Sequence, residues 1–210
     1  MMTTKTKAIQ DYLDEILPNV GCELNYTKPH ELLIAVVLSA QTTDKSVNAV
    51  TPLLFSKYPT VEALANADAK DVEEVIKAIG LYKNKAKNIV LLSQELMNRF
   101  NGNVPREKSD LVSLPGVGNK TASVVRLELF HEEEFPVDTH VDRISKRLSL
   151  AKKDDDVLEV ERKLKKAFPR SNWGKLHHQF IHFGRMKCFA RSPSCENCKI
   201  MAFCKEKRYL

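Results

Sequence analysis

Apolar residues recur at helical spacing along nearly the whole chain, and this periodicity restricts it to an all-helical architecture. Ile9, Tyr12, Leu13, Ile16 and Leu17 fall at i, i+3, i+4, i+7 and i+8, so they share one face of a helix that stops near Pro18. Pro29 suits a first helical turn, where its missing N–H costs nothing. Leu32, Leu33, Ile34, Val36, Val37 and Leu38 follow with little polar interruption. A helix apolar on every side must be buried all round, which makes this segment the predicted central helix. No segment alternates in a way that demands a strand, so the expected fold class is all-α.

Further helices are punctuated by Thr42 and Thr43 at a start, by Pro59 with Thr60 as a cap, and by Gly80 after Ile79 as a stop. Helical spacing then predicts segments from about Asn84 to Phe100, Ser109 to Leu114, Lys120 to Phe130, Thr139 to Leu148, Val157 to Phe168 and Trp173 to Met186. A loop with Asn101, Gly102 and Pro105 and a Pro-Gly-Val-Gly turn separate them. At 210 residues the chain forms one large domain or two small ones. It has no apolar run of the roughly 20 residues that a membrane span takes, and Met1 to Lys7 lack the apolar centre of a signal peptide. A soluble protein of the cytoplasm is expected.

Four of the five cysteines, Cys188, Cys195, Cys198 and Cys204, form a Cys-x6-Cys-x2-Cys-x5-Cys array within 17 residues. In a reducing compartment such bunching points to a metal or iron-sulfur centre rather than to disulfides. The spacing does not separate zinc from iron-sulfur, since both accept four thiolates. Either would order a loop too poor in apolar residues to fold alone. Arg185, Lys187, Arg191 and Lys199 surround the array; they either face a phosphate backbone or offset the thiolate charge. Cys22 stands apart and reads as a small buried residue.

Leu114-Pro-Gly-Val-Gly-Asn-Lys-Thr-Ala joins two short helices through a turn with glycines at 116 and 118. Exposed backbone N–H groups there, with the positive end of the next helix behind them, make an anion site suited to a DNA phosphate. An ordinary helix hairpin is the alternative. Lys120 lies in the first turn of the second helix, where the macrodipole and partial burial would both favour a neutral, nucleophilic amine. Charge is also uneven. Residues 1–142 carry 15 Lys+Arg against 20 Asp+Glu, a net of −5, whereas residues 143–210 carry 18 against 7, a net of +11. A basic C-terminal third favours a polyanionic partner.

Leu-Pro-Gly-Val-Gly-x-Lys-Thr-Ala, then Val137-Asp138-Thr139-His140-Val141, then the cysteine array, resembles the endonuclease III family of bacterial DNA glycosylases and AP lyases. The resemblance runs essentially end to end. It takes in Leu32 to Asp44 and the Ile79-Gly80-Leu81-Tyr82 landmark. It implies a helical-barrel domain over residues 22–132, with a helix-hairpin-helix at about 109–130, and a cluster domain made of residues 1–21 with 133–210. The family's active-site cleft lies between two such domains. One four-iron four-sulfur cluster, rather than zinc, is implied at Cys188, Cys195, Cys198 and Cys204.

By the same resemblance the chain is a base excision repair enzyme acting on damaged double-stranded DNA, as a monomer. It would remove oxidised pyrimidines and cut the strand 3′ to the abasic site. Lys120 matches the nucleophile, and Asp138 the carboxylate that stabilises charge at the sugar or relays protons, although Asp138 also reads as a helix N-cap. Gln41 and Leu81 match positions that fill the space left by a flipped base, although Leu81 also reads as ordinary core, while Gly116 and Gly118 of the hairpin and Arg191 beside the cysteine array are the expected contacts to the DNA backbone. His140 reads as structural, Asp44 as a cap or part of the site's rim, and His177, His178 and His182 as packing or surface residues. Asn119 stands where the family often has a basic residue. Adenine-specific mismatch glycosylases share the fold and cluster but usually lack the lysine and carry a further C-terminal domain, and a non-catalytic DNA-binding module would need neither Lys120 nor Asp138.

Overall fold

The computed structural model describes residues 2–206, and among them every regular element is a helix. The chain divides into two compact units: residues 23–132, and the residues up to Cys22 together with those from Glu133 onward.

The first unit is built around α2 (Pro29–Leu38), in which every residue after Pro29 is buried. Pro29 takes the first helical position, and Glu31 folds back so that its carboxylate accepts the N–H of Thr27 at 2.7 Å and of Lys28 at 3.1 Å. Each fully buried Leu, Ile or Val contributes about 1.5–3 kcal/mol as an upper estimate, so this short helix anchors the unit. It packs on α3 (Asp44–Lys57), α6 (Tyr82–Phe100) and α8 (Asn119–Phe130). Two short helices, α4 (Val61–Ala65) and α5 (Ala69–Ile76), lie on α6, and α7 (Lys108–Val112) packs on α8. Thr60 caps α4 as expected, but a second cap at Asp68 starts a separate helix. That helix ends at Ile76, and the left-handed residue that turns the chain into α6 is Leu81 (φ 58°) rather than Gly80.

The second unit joins α1 (Thr4–Ile16) to α9 (Thr139–Arg147), α10 (Val157–Ala167) and α11 (Trp173–Met186). Both α1 and α9 pack on α11. Its core includes Ile9, Leu13, Phe135, Val141, Ile144 and Phe180, with Cys188, Cys198 and Cys204 against its edge. Gln179, fully buried on α11, donates to Asp14 Oδ1 at 2.9 Å and to the Leu17 carbonyl at 3.1 Å, which ties down the end of α1. Among the described residues no helix is long and apolar enough to cross a membrane.

Candidate active site and metal centre

The hairpin between α7 and α8 is closed by the Val117 N–H bonding the Leu114 carbonyl at 3.1 Å, with Leu111, Leu114 and Val117 buried beneath it. Gly116 is left-handed at φ +77°, and a Cβ there would come 3.1 Å from the Asn88 side chain. The chain itself therefore needs glycine at 116. Gly118 differs: its φ is −93°, and a Cβ would meet nothing within 4 Å. It forms the N-cap of α8 without any side-chain cap, so the first N–H groups of α8 point outward unpaired by a capping side chain. An uncapped helix start of this kind attracts anions. Lys120 is the second residue of α8 and is exposed, which corrects the expectation of partial burial. Helix spacing directs its neighbours Thr121, Ala122 and Ser123 into the core and leaves the lysine outside.

In the other unit, a buried irregular segment, Glu134 to Val137, leads into Asp138. The segment is pinned by His177, whose Nδ1 lies 2.8 Å from the Pro136 carbonyl, and by Lys165, which bonds Glu134 at 3.0 Å. Asp138 is the N-cap of α9: Oδ1 accepts the N–H of His140 at 2.9 Å and of Val141 at 2.8 Å. Capping consumes one carboxylate oxygen. The other makes no hydrogen bond among the described residues. His140 Nδ1 sits 3.2 Å from the Arg143 guanidinium. Burial lowers its pKa, against the pull of Asp138 and with the help of Arg143 and Arg185. Gly184 on α11 is what lets α9 approach, because a Cβ there would stand 2.6 Å from His140 Nδ1 and 2.9 Å from Arg143.

The four C-terminal cysteines line a single recess with apolar walls that include Leu148, Phe183 and Ile200. Among the described residues no three His, Cys, Asp or Glu side chains are drawn tightly enough together to hold one metal ion. The donor set suits a sulfur-ligated centre. Arg147 reaches Cys188 Sγ at 3.3 Å, and the Glu206 N–H reaches Cys204 Sγ at 3.4 Å. The Tyr12 hydroxyl bonds Cys198, whose thiol pKa is raised by burial and by the neighbouring Cys188 and Cys195, against the Ile200 N–H and Lys187. Arg147 also donates to the carbonyls of Phe189 at 2.6 Å and Ala190 at 3.0 Å, while Arg143 donates to that of Cys188 at 2.9 Å.

Neither arginine was singled out from sequence, although their i, i+4 spacing puts both on one face of α9. Of the basic residues that were, Lys199 is engaged with Glu15 at 2.5 Å and Lys187 with the Glu196 carbonyl at 2.8 Å. Arg191 and Arg185 are exposed. Cys22 is half-buried rather than buried and lies outside the array. His177 is buried and bonded to Pro136, apart from the cysteine recess.

Gln41 and Leu81 both lie in the 23–132 unit, both exposed and both left-handed, at φ 54° and 58°. A positive φ is uncommon for any residue with a Cβ and is an outlier for a bulky one. Thr43, not Asp44, caps α3; Asp44 takes the first helical position, where its charge suits the dipole.

An all-helical chain with a glycine hairpin opening a helix is the class defined by the matching family model, HhH-GPD superfamily base excision DNA repair protein, which covers residues 34–170. Endonuclease III of Bacillus subtilis (strain 168) is 45% identical over 196 residues, covering 93% of this chain and 90% of its own length. Endonuclease III of Escherichia coli (strain K12) is 41% identical over 207 residues, covering 99% and 98%. The solved structure of a trapped endonuclease III–DNA covalent intermediate superposes with a TM-score of 0.93 at 46% identity, over 98% of this chain and 97% of that one. A thermostable thymine-DNA glycosylase shares the fold, with a TM-score of 0.86 at 22% identity. The chain belongs to the endonuclease III family. It is a DNA repair enzyme, a bifunctional DNA N-glycosylase and AP lyase.

Proposed function

We propose that the enzyme removes oxidised pyrimidines from duplex DNA and cuts the strand 3′ to the resulting abasic site, with Lys120 as nucleophile. The observation that carries this reading is an exposed lysine in the uncapped first turn of α8, beside the glycine hairpin. The helix start binds a phosphate through Gly116, Gly118 and the N–H groups that follow. Lys120, one residue beyond the first position of α8, is thereby set beside that backbone anion and within reach of the sugar it attacks.

The damaged base leaves the stack first, at a cost of a few kcal/mol that is smallest for a poorly stacked lesion. Lys120 Nζ then bonds C1′ as the C1′–base bond breaks, and the sugar opens to a Schiff base. Loss of a C2′ proton expels the 3′ phosphate by β-elimination. Asp138, with Oδ1 held by its cap bonds, uses its other oxygen to stabilise the cationic sugar or to take and return protons. A relative solved as a trapped covalent DNA intermediate supports covalent catalysis here.

Gln41 and Leu81 enter the duplex at the flipped base, and Arg191 contacts the backbone. Cys188, Cys195, Cys198 and Cys204 hold one four-iron four-sulfur cluster, which would give the C-terminal loop the rigid centre that its few apolar residues do not provide. The enzyme works as a monomer in the cytoplasm on chromosomal DNA, through a barrel domain of residues 22–132 and a cluster domain of residues 1–21 with 133–210.

The test is borohydride reduction of the protein mixed with a duplex bearing one thymine glycol or abasic site. A covalent adduct with wild type that is absent with Lys120→Ala supports the reading. Binding without any adduct would remove the lyase mechanism.

A further inference from the structure

Lys85 is 5% exposed, on the first turns of α6. Its Nζ donates to Thr42 Oγ1 at 2.6 Å, its hydrogen-bond partner among the described residues. Burial lowers its pKa, with no opposing contribution from an acidic neighbour. A buried ammonium matched only by a neutral hydroxyl is a poor way to stabilise a fold, and a methionine of similar length would pack without that penalty. The arrangement therefore calls for another explanation, and its location supplies one. Thr42 follows Gln41, and its N–H closes the turn onto the Ser39 carbonyl at 3.0 Å. Lys85 donates its own N–H to the Leu81 carbonyl at 3.1 Å. One residue thus holds the carbonyl of one strained, exposed residue through its backbone N–H and, through its side chain, the neighbour of the other, 43 positions away in sequence. Left-handed residues with large side chains persist only where their surroundings hold them.

We propose that Lys85 and Thr42 are positioning residues whose bond clamps the two exposed turns together, so that Gln41 and Leu81 enter the duplex as one rigid pair. The proposal rests on the reading of those two residues as the ones that enter DNA. Without the clamp each turn relaxes separately, and the pair no longer meets the duplex in the geometry that keeps a flipped base out. Binding to undamaged phosphate backbone, which belongs to the hairpin, stays the same. The Lys85 side chain touches neither the reacting sugar nor the base, so its loss acts through Gln41 and Leu81.

Two measurements on the full-length, cluster-loaded enzyme test this. The first is hydrogen exchange of the DNA-free protein: Lys85→Met should speed exchange several-fold in both 39–43 and 81–85, and Thr42→Val should do the same, while Thr42→Ser keeps wild-type rates. Unchanged exchange at 39–43 in Lys85→Met overturns the clamp whatever the two tips do on DNA. The second uses a duplex with a tetrahydrofuran abasic analogue opposite 2-aminopurine, whose fluorescence rises when that base leaves the stack. Lys85→Met and Thr42→Val should each cut the rise several-fold, the double variant no further than either alone, with less than twofold change in affinity for undamaged duplex. Independent, multiplying losses in the double variant would also overturn the clamp. Gln41→Ala and Leu81→Ala run alongside: if neither changes the fluorescence while exchange responds to Lys85→Met, the clamp stands and the DNA reading of its tips is what fails.

Discussion

Replacing Gly184 by alanine puts one methyl group where two helices meet. In an ordinary helix interior, glycine to alanine is worth about 1 kcal/mol in favour of folding. At 184 the added Cβ stands 2.6 Å from His140 Nδ1, 3.1 Å from His140 Cβ and 2.9 Å from Arg143. The imidazole cannot swing aside cheaply, because it stems from the first turn of α9, and the guanidinium is already committed to the carbonyls of Gly184 at 3.2 Å and Cys188 at 2.9 Å. Overpacking of this kind costs about 1–3 kcal/mol, and weakening a hydrogen bond from a charged group about 1.5–3 kcal/mol. Set against the propensity gain these bound the net loss at about 1.5–5 kcal/mol, and the lower half, about 2–3 kcal/mol, is expected because the guanidinium's bonds are weakened rather than broken. For a chain of this size that lowers the melting temperature by roughly 5–10 °C. The assay is thermal and urea unfolding of wild type, Gly184→Ala and Gly80→Ala side by side. At Gly80 a Cβ would meet nothing within 4 Å, so that variant should be neutral or slightly more stable. Borohydride trapping should fall in Gly184→Ala at temperatures where it is still folded, because Asp138 caps the helix that has been pushed. A Gly184→Ala protein as stable and as active as wild type would refute the argument that this contact sets the approach of α9.

Other substitutions separate binding from folding. Gly118→Ala should fold with wild-type stability but bind duplex more weakly, measured by anisotropy, because its Cβ projects into space that a phosphate would occupy. Asp138→Ala should lose about 0.5–2 kcal/mol of stability with its cap, and Asp138→Asn much less of it, while both lose trapping activity. Arg147→Met should increase proteolysis between Lys187 and Arg191 and lower iron retention, since four contacts from one guanidinium to Cys188, Phe189 and Ala190 vanish. His30 is buried, its Nε2 finds no hydrogen-bond partner among the described residues, and burial lowers its pKa from 6.5. The unfolded chain then binds the proton more tightly, so stability falls as pH drops from about 6.5 toward the folded-state value, and His30→Gln should flatten that part of an unfolding-versus-pH curve.

Much of the fold was legible because its signals are local. Thr60 caps a helix, Pro29 begins one, and the unbroken apolar run after it belongs to a helix buried on every side. The break within residues 60–79 was missed because Asp68 is flanked by Ala67 and Ala69, which suit a continuous helix, with no glycine or proline to mark it. Gly80 misled for the converse reason: a glycine does not oblige the chain to turn left-handed, and Leu81 does so instead under tertiary constraint. Of the candidate site, the hairpin glycines and the cysteine array could be read because their spacing is itself the signal. The sequence let partial burial of Lys120 add to the helix field, and only the register of α8 against α2 decides that it faces outward. Arg143, Arg147, Gly184 and Lys85 were invisible because each acts on residues 40 or so positions away, and nothing local marks such a partner.

The second unit is assembled from both ends of the sequence, and this bears on how the enzyme is made. Asp14 on α1 bonds Gln179 on α11, 165 positions later. At 5–20 residues per second a ribosome takes roughly 10–30 s to deliver that partner after the first helix has emerged. During that interval the contiguous unit can complete its core, while Ile9 and Leu13 on α1 have nothing to pack against. The nascent chain thus carries a bare apolar stripe throughout most of its own synthesis, and the cysteine loop, which comes last, closes the shelter for the helix that came first.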